Sequence, residues 1–277
     1  MSTVQLVAQL RKQLQVPLAR AKKALEMHQN NYDAALAWLR AQDDSARVQG
    51  RATTAGLVAF AVDPEHGAAL VELRCETDFV ARTDVFAALA RDAADSFSRA
   101  RPQQHVLDSV ISRFAKEGNN EETMADAIRS VITQVRENVT CSRLCRLVIE
   151  PTISVLNRYS FAGYAHNSPS PSWKSTGTTA AIVALKANAD MNPALHSTVN
   201  MFNRRLAQHI VGMKPQNMQD LLNQPYLFGQ GETVHEALHV IAETPLTIAA
   251  WRNYAIGDSV VENDDNETSV CLEEIHV

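Results

Sequence analysis

The chain has 277 residues, of which 45% are apolar and 21% charged, and its formal net charge is -5. This composition excludes a globally disordered protein, and the acidic balance disfavours non-specific nucleic-acid binding, which needs a basic face to neutralise phosphates. No apolar run approaches the roughly 18 residues of a membrane-spanning helix, and the N-terminal residues do not predict a secretory signal. Four cysteines without framework spacing predict reduced thiols.

The pattern of residues 1–41 predicts a small module of short helices. The first helix carries an apolar stripe from Val4 to Leu14. The second begins at Pro17, which suits a first helical turn, and the third follows a break at Asn30-Asn31. We expect a three-helix, ubiquitin-associated-like module, with a generic helical cap as the alternative. Residues 42–55 are polar and predict a linker.

Residues 56–150 predict a first α+β unit. Alternating apolar runs flank a turn rich in Asp, Pro and Gly, which is typical of a hairpin. The predicted hairpin strands, two helices and final strand are Leu57 to Val62, Ala69 to Cys75, Phe86 to Phe97, Met124 to Val135 and Leu144 to Ile149.

Residues 151–277 repeat this plan. The predicted elements are a hairpin of Ile153 to Leu156 with Phe161 to Tyr164, a buried strand Thr178 to Leu185, a helix starting at Asn192-Pro193, a last strand Leu246 to Tyr254 and an acidic tail Glu262 to Val277. The predicted fold class is therefore α+β, with an N-terminal helical module followed by two α+β core subdomains that each contain an antiparallel sheet.

The boundary between the strand ending at Cys75 and the helix containing Phe86 holds the most informative residues, Thr77-Asp78-Phe79-Val80. A turn on a rigid scaffold presents side chains to a partner. We predict that Phe79 inserts into another protein and that Asp78 disturbs a charged site there. The alternatives are a core aromatic for Phe79 and a helix N-cap for Asp78.

A second motif, His235-Glu236-Ala237-Leu238-His239, matches H-E-x-x-H. On a helix the two histidines could bind zinc, with Glu236 as general base, which makes a zinc metallohydrolase the enzyme alternative. Thr233 to Glu236 also fits a capping box, which explains the glutamate without a metal. A catalytic zinc needs a third protein ligand, for which Glu243 and Glu262 are the candidates. We expect no bound metal, no cofactor and no chemical active site, and we interpret Cys141 and Cys145 as buried thiols.

Motifs along the chain resemble, in order, those of elongation factor Ts. They are Leu10-Arg11, Lys22-Lys23-Ala24-Leu25, Gln49-Gly50-Arg51, Thr77-Asp78-Phe79-Val80-Ala81-Arg82, Glu137-Asn138, the run from Arg204 to Pro215, and Gln224-Pro225-Tyr226-Leu227. The short interval between Leu185 and Asn192 leaves no room for the coiled-coil insert of many bacterial members. The acidic tail replaces a basic C-terminal helix. Both differences resemble the mitochondrial branch.

This resemblance implies a guanine nucleotide exchange factor that binds elongation factor Tu with bound GDP and promotes the release of GDP and Mg²⁺. It implies that Thr77, Asp78, Phe79 and Val80 enter the GTPase domain of Tu. Lys22 and Lys23 would contact the same domain, with a solvated helix face as their alternative. His209 would grip Tu as well, with a partly buried helix residue as its alternative.

The resemblance also implies a monomer that pairs one-to-one with Tu, reaching its GTPase domain and a neighbouring domain. The implied location is the mitochondrial matrix, with the bacterial cytoplasm as the alternative. Gln13-Leu14-Gln15-Val16 stands where the family has Thr-Gly-Ala-Gly, and the segment Tyr159 to Tyr164 also departs from the family pattern. These departures leave a second hypothesis open, a Ts-like structural subunit of a mitochondrial ribosome or another assembly.

Overall fold

The computed structural model describes residues 3–14, 16, 18–41, 48, 50–99, 124–148, 158–241, 245–258 and 271–276. Two β-sheets face each other, and helices cover the outer face of each. A separate cluster of short helices forms the N-terminal part. The predicted α+β class is confirmed.

The N-terminal cluster consists of α1 (Thr3–Leu14), α2 (Leu18–Met27) and α3 (Tyr32–Ala41). Asn31 begins α3, because its side-chain oxygen accepts a hydrogen bond from the Ala34 N–H at 3.1 Å. Leu10 and Leu25 are completely buried at the centre of the cluster. The predicted helices are confirmed, whereas their likeness to a ubiquitin-associated module stays a prediction.

The two sheets contain the following strands among the described residues: β1 (Ala55–Asp63), β2 (Gly67–Cys75), β3 (Val139–Val148), β4 (Tyr159–His166), β5 (Thr176–Gly177), β6 (Thr179–Ala187), β7 (Leu246–Ala255) and β8 (Cys271–His276). The first sheet has the order β5-β1-β2-β3-β8 and the second the order β4-β6-β7. Neighbouring strands are antiparallel except β3 and β8, which run parallel.

Strand β8 corrects the prediction that Leu246 to Tyr254 is the last strand, because the acidic C-terminal segment contains a further one. Residues 271–276 form a strand in the first sheet, so the prediction of purely antiparallel sheets holds for the second sheet only. Strand β3 also begins earlier than predicted, at Val139 rather than Leu144. The predicted hairpin segment Ile153 to Leu156 lies outside the described residues.

Helices fill the outer layers: α4 (Asp78–Ala81), α5 (Asp84–Arg99), α6 (Met124–Val135), α7 (His196–Met213), α8 (Met218–Asn223) and α9 (Val234–Val240). Helices α5 and α6 bury their apolar faces against the first sheet, and α7 buries its face against the second. Asn192 caps a short 3-10 segment, Pro193–Leu195, that leads into α7, as the Asn-Pro pair predicted.

The core between the two sheets comes from alternate residues of their facing strands, including Val58, Leu70 and Leu147 on one side and Phe161 and Ile182 on the other. The first sheet takes β5 and β8 from the second half of the chain. We retain 1–41, 42–55, 56–150 and 151–277 as proposed boundaries of the N-terminal module, the linker and the core N- and C-subdomains, with the two subdomains sharing this core.

A buried ion cluster joins the two sheets at one end. The Glu72 carboxylate is fully buried and accepts hydrogen bonds from the Nε atoms of Arg74, at 2.6 Å, and Arg143. Arg143 also donates to the Ala255 carbonyl at 3.1 Å, and Arg74 donates to the Asp258 carbonyl at 3.1 Å. Strands β2 and β3 of the first sheet are thereby tied to the end of β7 in the second.

Candidate functional site

Helix α4 is a single turn between the end of β2 and the start of α5. Thr77 is its N-cap, since the Thr77 hydroxyl accepts from the Val80 N–H at 3.4 Å. The Arg82 N–H closes the turn on the Asp78 carbonyl at 3.1 Å. Thr83 then begins α5 by accepting from the Phe86 N–H at 3.4 Å. Consecutive threonine caps thus fix where one helix ends and the next begins.

This turn presents two side chains to solvent and buries two others. Phe79 is 80% exposed. Asp78 is also exposed and lies 3.3 Å from the Arg82 guanidinium. Val80 and Ala81 point inward and join the core under the first sheet. The alternative that Phe79 is a core aromatic is therefore wrong, and so is the alternative that Asp78 is the N-cap, because Thr77 has that role.

A network of polar groups supports the base of α4 from the short segment between α6 and β3. The Glu137 carboxylate accepts from the Thr77 N–H at 3.0 Å and from the Thr77 hydroxyl at 2.6 Å. The Asn138 N–H donates to Glu76 at 2.7 Å, and the Asn138 side-chain amide donates to the Arg51 carbonyl at 2.8 Å. The sequence identifies Glu137-Asn138 as a family-like motif but does not predict its role.

His209 lies on α7 and is completely buried. Its Nδ1 accepts a hydrogen bond from the Leu227 N–H at 3.2 Å, so the proton of the neutral ring sits on Nε2, which lies 3.1 Å from the Gln224 side-chain oxygen. The ring also lies against Tyr226. Burial lowers the pKa of His209, although the Gln224 hydrogen bond partly opposes this effect. The histidine therefore holds the segment that follows α8.

Acidification should remove the stabilisation that His209 provides. The unfolded ring has an ordinary pKa near 6.5, while the folded ring has a lower one. The stabilisation is therefore fully present above about pH 6.5 and is lost as the pH falls toward the folded pKa, because only the unfolded chain takes up a proton there. Urea unfolding of the wild-type chain and of His209→Gln, between about pH 7.5 and about pH 5.5, should show their stabilities converging. Parallel pH profiles would contradict this assignment.

Of the other residues predicted to contact a partner, two are buried and two are exposed. Val80 and His209 are buried, so their predicted direct contact with a partner is not supported by this structure. The alternative for His209 was a partly buried helix residue, and the side chain is in fact completely buried. Lys22 and Lys23 are exposed on α2. Lys22 lies 3.7 Å from Glu26 one turn later. Both lysines are accessible to a partner and also fit a solvated helix face.

The apolar residues after α8 form an exposed cluster that sequence reasoning did not single out. Leu227 is 54% exposed and Phe228 is 41% exposed. The Arg205 guanidinium of α7 lies 5.8 Å from the centre of the Phe228 ring. The sequence signal for this region was the motif Gln224-Pro225-Tyr226-Leu227. The buried side chains of His209 and Tyr226 hold this segment in place.

The H-E-x-x-H motif forms α9, and the predicted capping box is confirmed. The Glu236 carboxylate accepts from the Thr233 N–H at 2.7 Å, and the Thr233 hydroxyl accepts from the Glu236 N–H at 3.2 Å. The rings of His235 and His239 are adjacent, 4.8 Å apart. No cluster of three or more metal-ligating side chains occurs in the part of the chain that the structure describes, and the proposed third ligands, Glu243 and Glu262, lie outside it.

The free chain, purified without chelator, should carry no stoichiometric zinc. The hydrogen bonds to Thr233 lower the pKa of Glu236 and occupy its carboxylate as a helix cap, so the residue is not held as a base beside a metal. Elemental analysis of the purified chain is the measurement, with His239→Ala as the comparison. Zinc bound at one equivalent and lost in that variant would revive the metallohydrolase hypothesis.

Three cysteines lie in the described core, and none of them forms a disulfide among the described residues. Cys75 and Cys145 are buried, as predicted for Cys145, whereas the accessible surface of Cys141 shows it to be only partly buried. Burial raises the pKa of Cys75 and of Cys141 to about 12, so both are protonated at neutral pH and are poor nucleophiles. Cys75 donates to the Thr77 carbonyl at 3.2 Å, which places it beneath α4. No helix among the described segments is long and apolar enough to cross a membrane.

The protein is of the α+β class, and its exposed phenylalanine lies on a short helix that is supported from below. Comparison with known proteins names the family. The family model for elongation factor Ts matches residues 76–220. The chain belongs to the elongation factor Ts family and is therefore a translation elongation factor.

Its relatives include proteins named elongation factor Ts, mitochondrial. The protein of Drosophila melanogaster is 31% identical, over 84% of this chain and 79% of the relative. That of Coprinopsis cinerea is 30% identical, over 83% and 79%, and that of Dictyostelium discoideum is 27% identical, over 92% and 85%. The resemblance seen in the sequence motifs is confirmed by these comparisons, including its mitochondrial character.

Proposed function

We propose that this chain is a guanine nucleotide exchange factor that binds elongation factor Tu carrying GDP and promotes the release of GDP and Mg²⁺. The observation that carries the proposal is Phe79, an aromatic side chain that is 80% exposed on a helix held from below by Thr77 and Glu137. A large apolar side chain in that position gains far more from insertion into a partner than from solvent.

The mechanism rests on thermodynamic linkage between the binding of this chain to Tu and the binding of GDP to Tu. A protein that binds nucleotide-free Tu more tightly than Tu with GDP lowers the affinity of Tu for GDP by the same factor. Phe79 inserts into the GTPase domain of Tu as a wedge. Asp78, which shares the exposed face of α4, disturbs the Mg²⁺ surroundings, and loss of that ion removes a large local charge that favours phosphate binding.

Other parts of the chain have supporting roles in this proposal. Lys22 and Lys23 on α2 add a charged contact to the same domain. His209 acts indirectly, because its ring holds the segment that exposes Leu227 and Phe228. Thr77 and Val80 likewise act indirectly, because Thr77 caps α4 and Val80 anchors it in the core.

The chain is proposed to act without chemistry of its own, in the mitochondrial matrix, as a monomer that pairs one-to-one with Tu. The proposed location is supported by its relatives, which are named as mitochondrial proteins. The proposed monomeric state is supported by the short connection between β6, which ends at Ala187, and the helical segment that starts at Pro193. This connection leaves no room for a coiled-coil hairpin.

The test is release of a fluorescent GDP analogue from a mitochondrial Tu. Adding the chain should accelerate release, and light scattering should give a one-to-one complex in the absence of nucleotide. Saturating GDP should dissolve that complex, because the coupling is reciprocal. A complex that survives saturating GDP, without accelerated release, would instead identify a structural partner of a larger assembly.

A further inference from the structure

We propose that Glu137 is a positioning residue, which fixes the shape of α4 before any partner arrives so that Phe79 is presented ready for insertion. The inference rests on the proposed function for its consequence but not for its geometry. Glu137 is less exposed to solvent than Phe79. It acts only through Thr77.

The fold delivers Glu137 to this position by a sharp turn. Helix α6 ends at Val135, and Arg136 adopts a left-handed conformation with φ of 60°. The Arg136 N–H closes the helix on the Ile132 carbonyl at 2.7 Å. The chain then reverses into β3, whose first residue, Val139, pairs with Cys75. Glu137 is therefore held directly beside the residue that begins α4.

The hydrogen bonds of Glu137 decide how Thr77 caps α4. A threonine hydroxyl has one proton to donate and two lone pairs to accept with. Its proton goes to Glu137, at 2.6 Å, so its lone pairs remain for the Val80 N–H. The Thr77 N–H is also satisfied by the same carboxylate, at 3.0 Å. Without Glu137, the hydroxyl loses its fixed direction and the N–H loses its partner.

Helix α4 needs this support because it is one turn long. A helix of four residues has no stability of its own, since nucleating a helix is unfavourable and only later turns compensate. Its inward residues, Val80 and Ala81, anchor one side only. Glu137, 60 residues away in sequence, supplies the fixed point at its start, where two hydrogen bonds to one charged group are the strongest kind available.

The experiment compares Glu137→Ala, Glu137→Gln and a nearby control, Gln134→Ala, which changes an exposed residue of α6. Two measurements are made on each: amide hydrogen exchange at Val80 and Arg82 in the free chain, and stimulated GDP release. In Glu137→Ala, the amides should exchange about tenfold faster, as loss of a charged hydrogen bond implies, and release should slow. Glu137→Gln, which keeps one acceptor oxygen, should recover part of both effects.

A double variant shows whether Glu137 acts through Phe79. Adding Glu137→Ala to Phe79→Ala should cause no further loss of GDP release, because the side chain that Glu137 positions is already absent. Unchanged amide exchange in Glu137→Ala would overturn the inference, and so would faster amide exchange with unchanged release. If the wild-type chain fails to accelerate release, the proposed function fails, while the amide measurement still decides whether Glu137 holds α4.

Global unfolding of Glu137→Ala would not remove the test. Thr77→Val keeps the shape of the side chain and deletes only the hydroxyl that donates to Glu137. It should loosen the Val80 amide, and adding the milder Glu137→Gln should then cost less than Glu137→Gln costs in the wild-type chain, because only the Thr77 N–H bond to Glu137 remains. Independent, additive effects of the two substitutions would overturn the inference.

Discussion

Replacing Phe79 by alanine should remove most of the stimulated GDP release and leave the stability of the free chain almost unchanged. The ring is 80% exposed and therefore contributes little to folding, so the change in unfolding free energy should stay within about 0.5 kcal/mol. As a buried aromatic anchor in a complex, the same ring would contribute about 2–4 kcal/mol. That loss corresponds to a rate reduced roughly 30-fold to 1,000-fold.

The measurements are stopped-flow release of fluorescent GDP and urea unfolding of each free variant. Val240→Ala is the matched control, because Val240 is 82% exposed on α9, where no contact with Tu is proposed. It should change neither quantity. A Phe79→Ala chain that unfolds more easily, or that exchanges nucleotide at the wild-type rate, would show that the wedge assignment is wrong.

Replacing Glu72 by alanine should have the largest effect on stability. The carboxylate is fully buried and is hydrogen-bonded to Arg74 and Arg143, which are themselves largely buried. Removing one member of such a cluster leaves charges in the interior without their partner, which costs about 3–5 kcal/mol. Because the cluster ties both sheets together, its loss should weaken the whole core rather than one strand.

Urea unfolding of Glu72→Ala measures this cost. Glu26→Ala provides the exposed counterpart, since Glu26 lies 3.7 Å from Lys22 with both side chains more than half exposed, and such a pair contributes at most about 1 kcal/mol. A loss below that figure for Glu72→Ala would show that the arginines find other partners or that water enters the cluster.

Most of the core helices and strands could be predicted from the sequence, because their apolar residues repeat with a clear period. Helix α5 illustrates this: Phe86, Leu89, Ala93 and Phe97 all turned out to be buried on one face. Strand β8 could not be predicted. It follows a long polar run and carries adjacent acids at Glu273 and Glu274, and its partner β3 is distant in sequence, so nothing local indicates a strand.

The candidate site, too, could be predicted from the sequence only in part. The position of Phe79 between a strand and a helix was predicted correctly, since the change of period marks such a boundary. The roles of Glu137 and His209 were not predictable. Both depend on contacts between segments far apart in sequence, Glu137 with Thr77 and His209 with Leu227. An exposed and a buried histidine look alike in a single sequence.

The parallel pairing of β8 with β3 has a consequence for how the chain is made. Strand β3 ends at Val148, whereas β8 begins at Cys271. At about 5–20 residues per second, a ribosome needs roughly 6–25 seconds to synthesise the intervening chain. During that time the edge of β3 has no strand beside it and is open to wrong pairing with another nascent chain. A chaperone that binds the emerging protein would therefore protect it most in this interval.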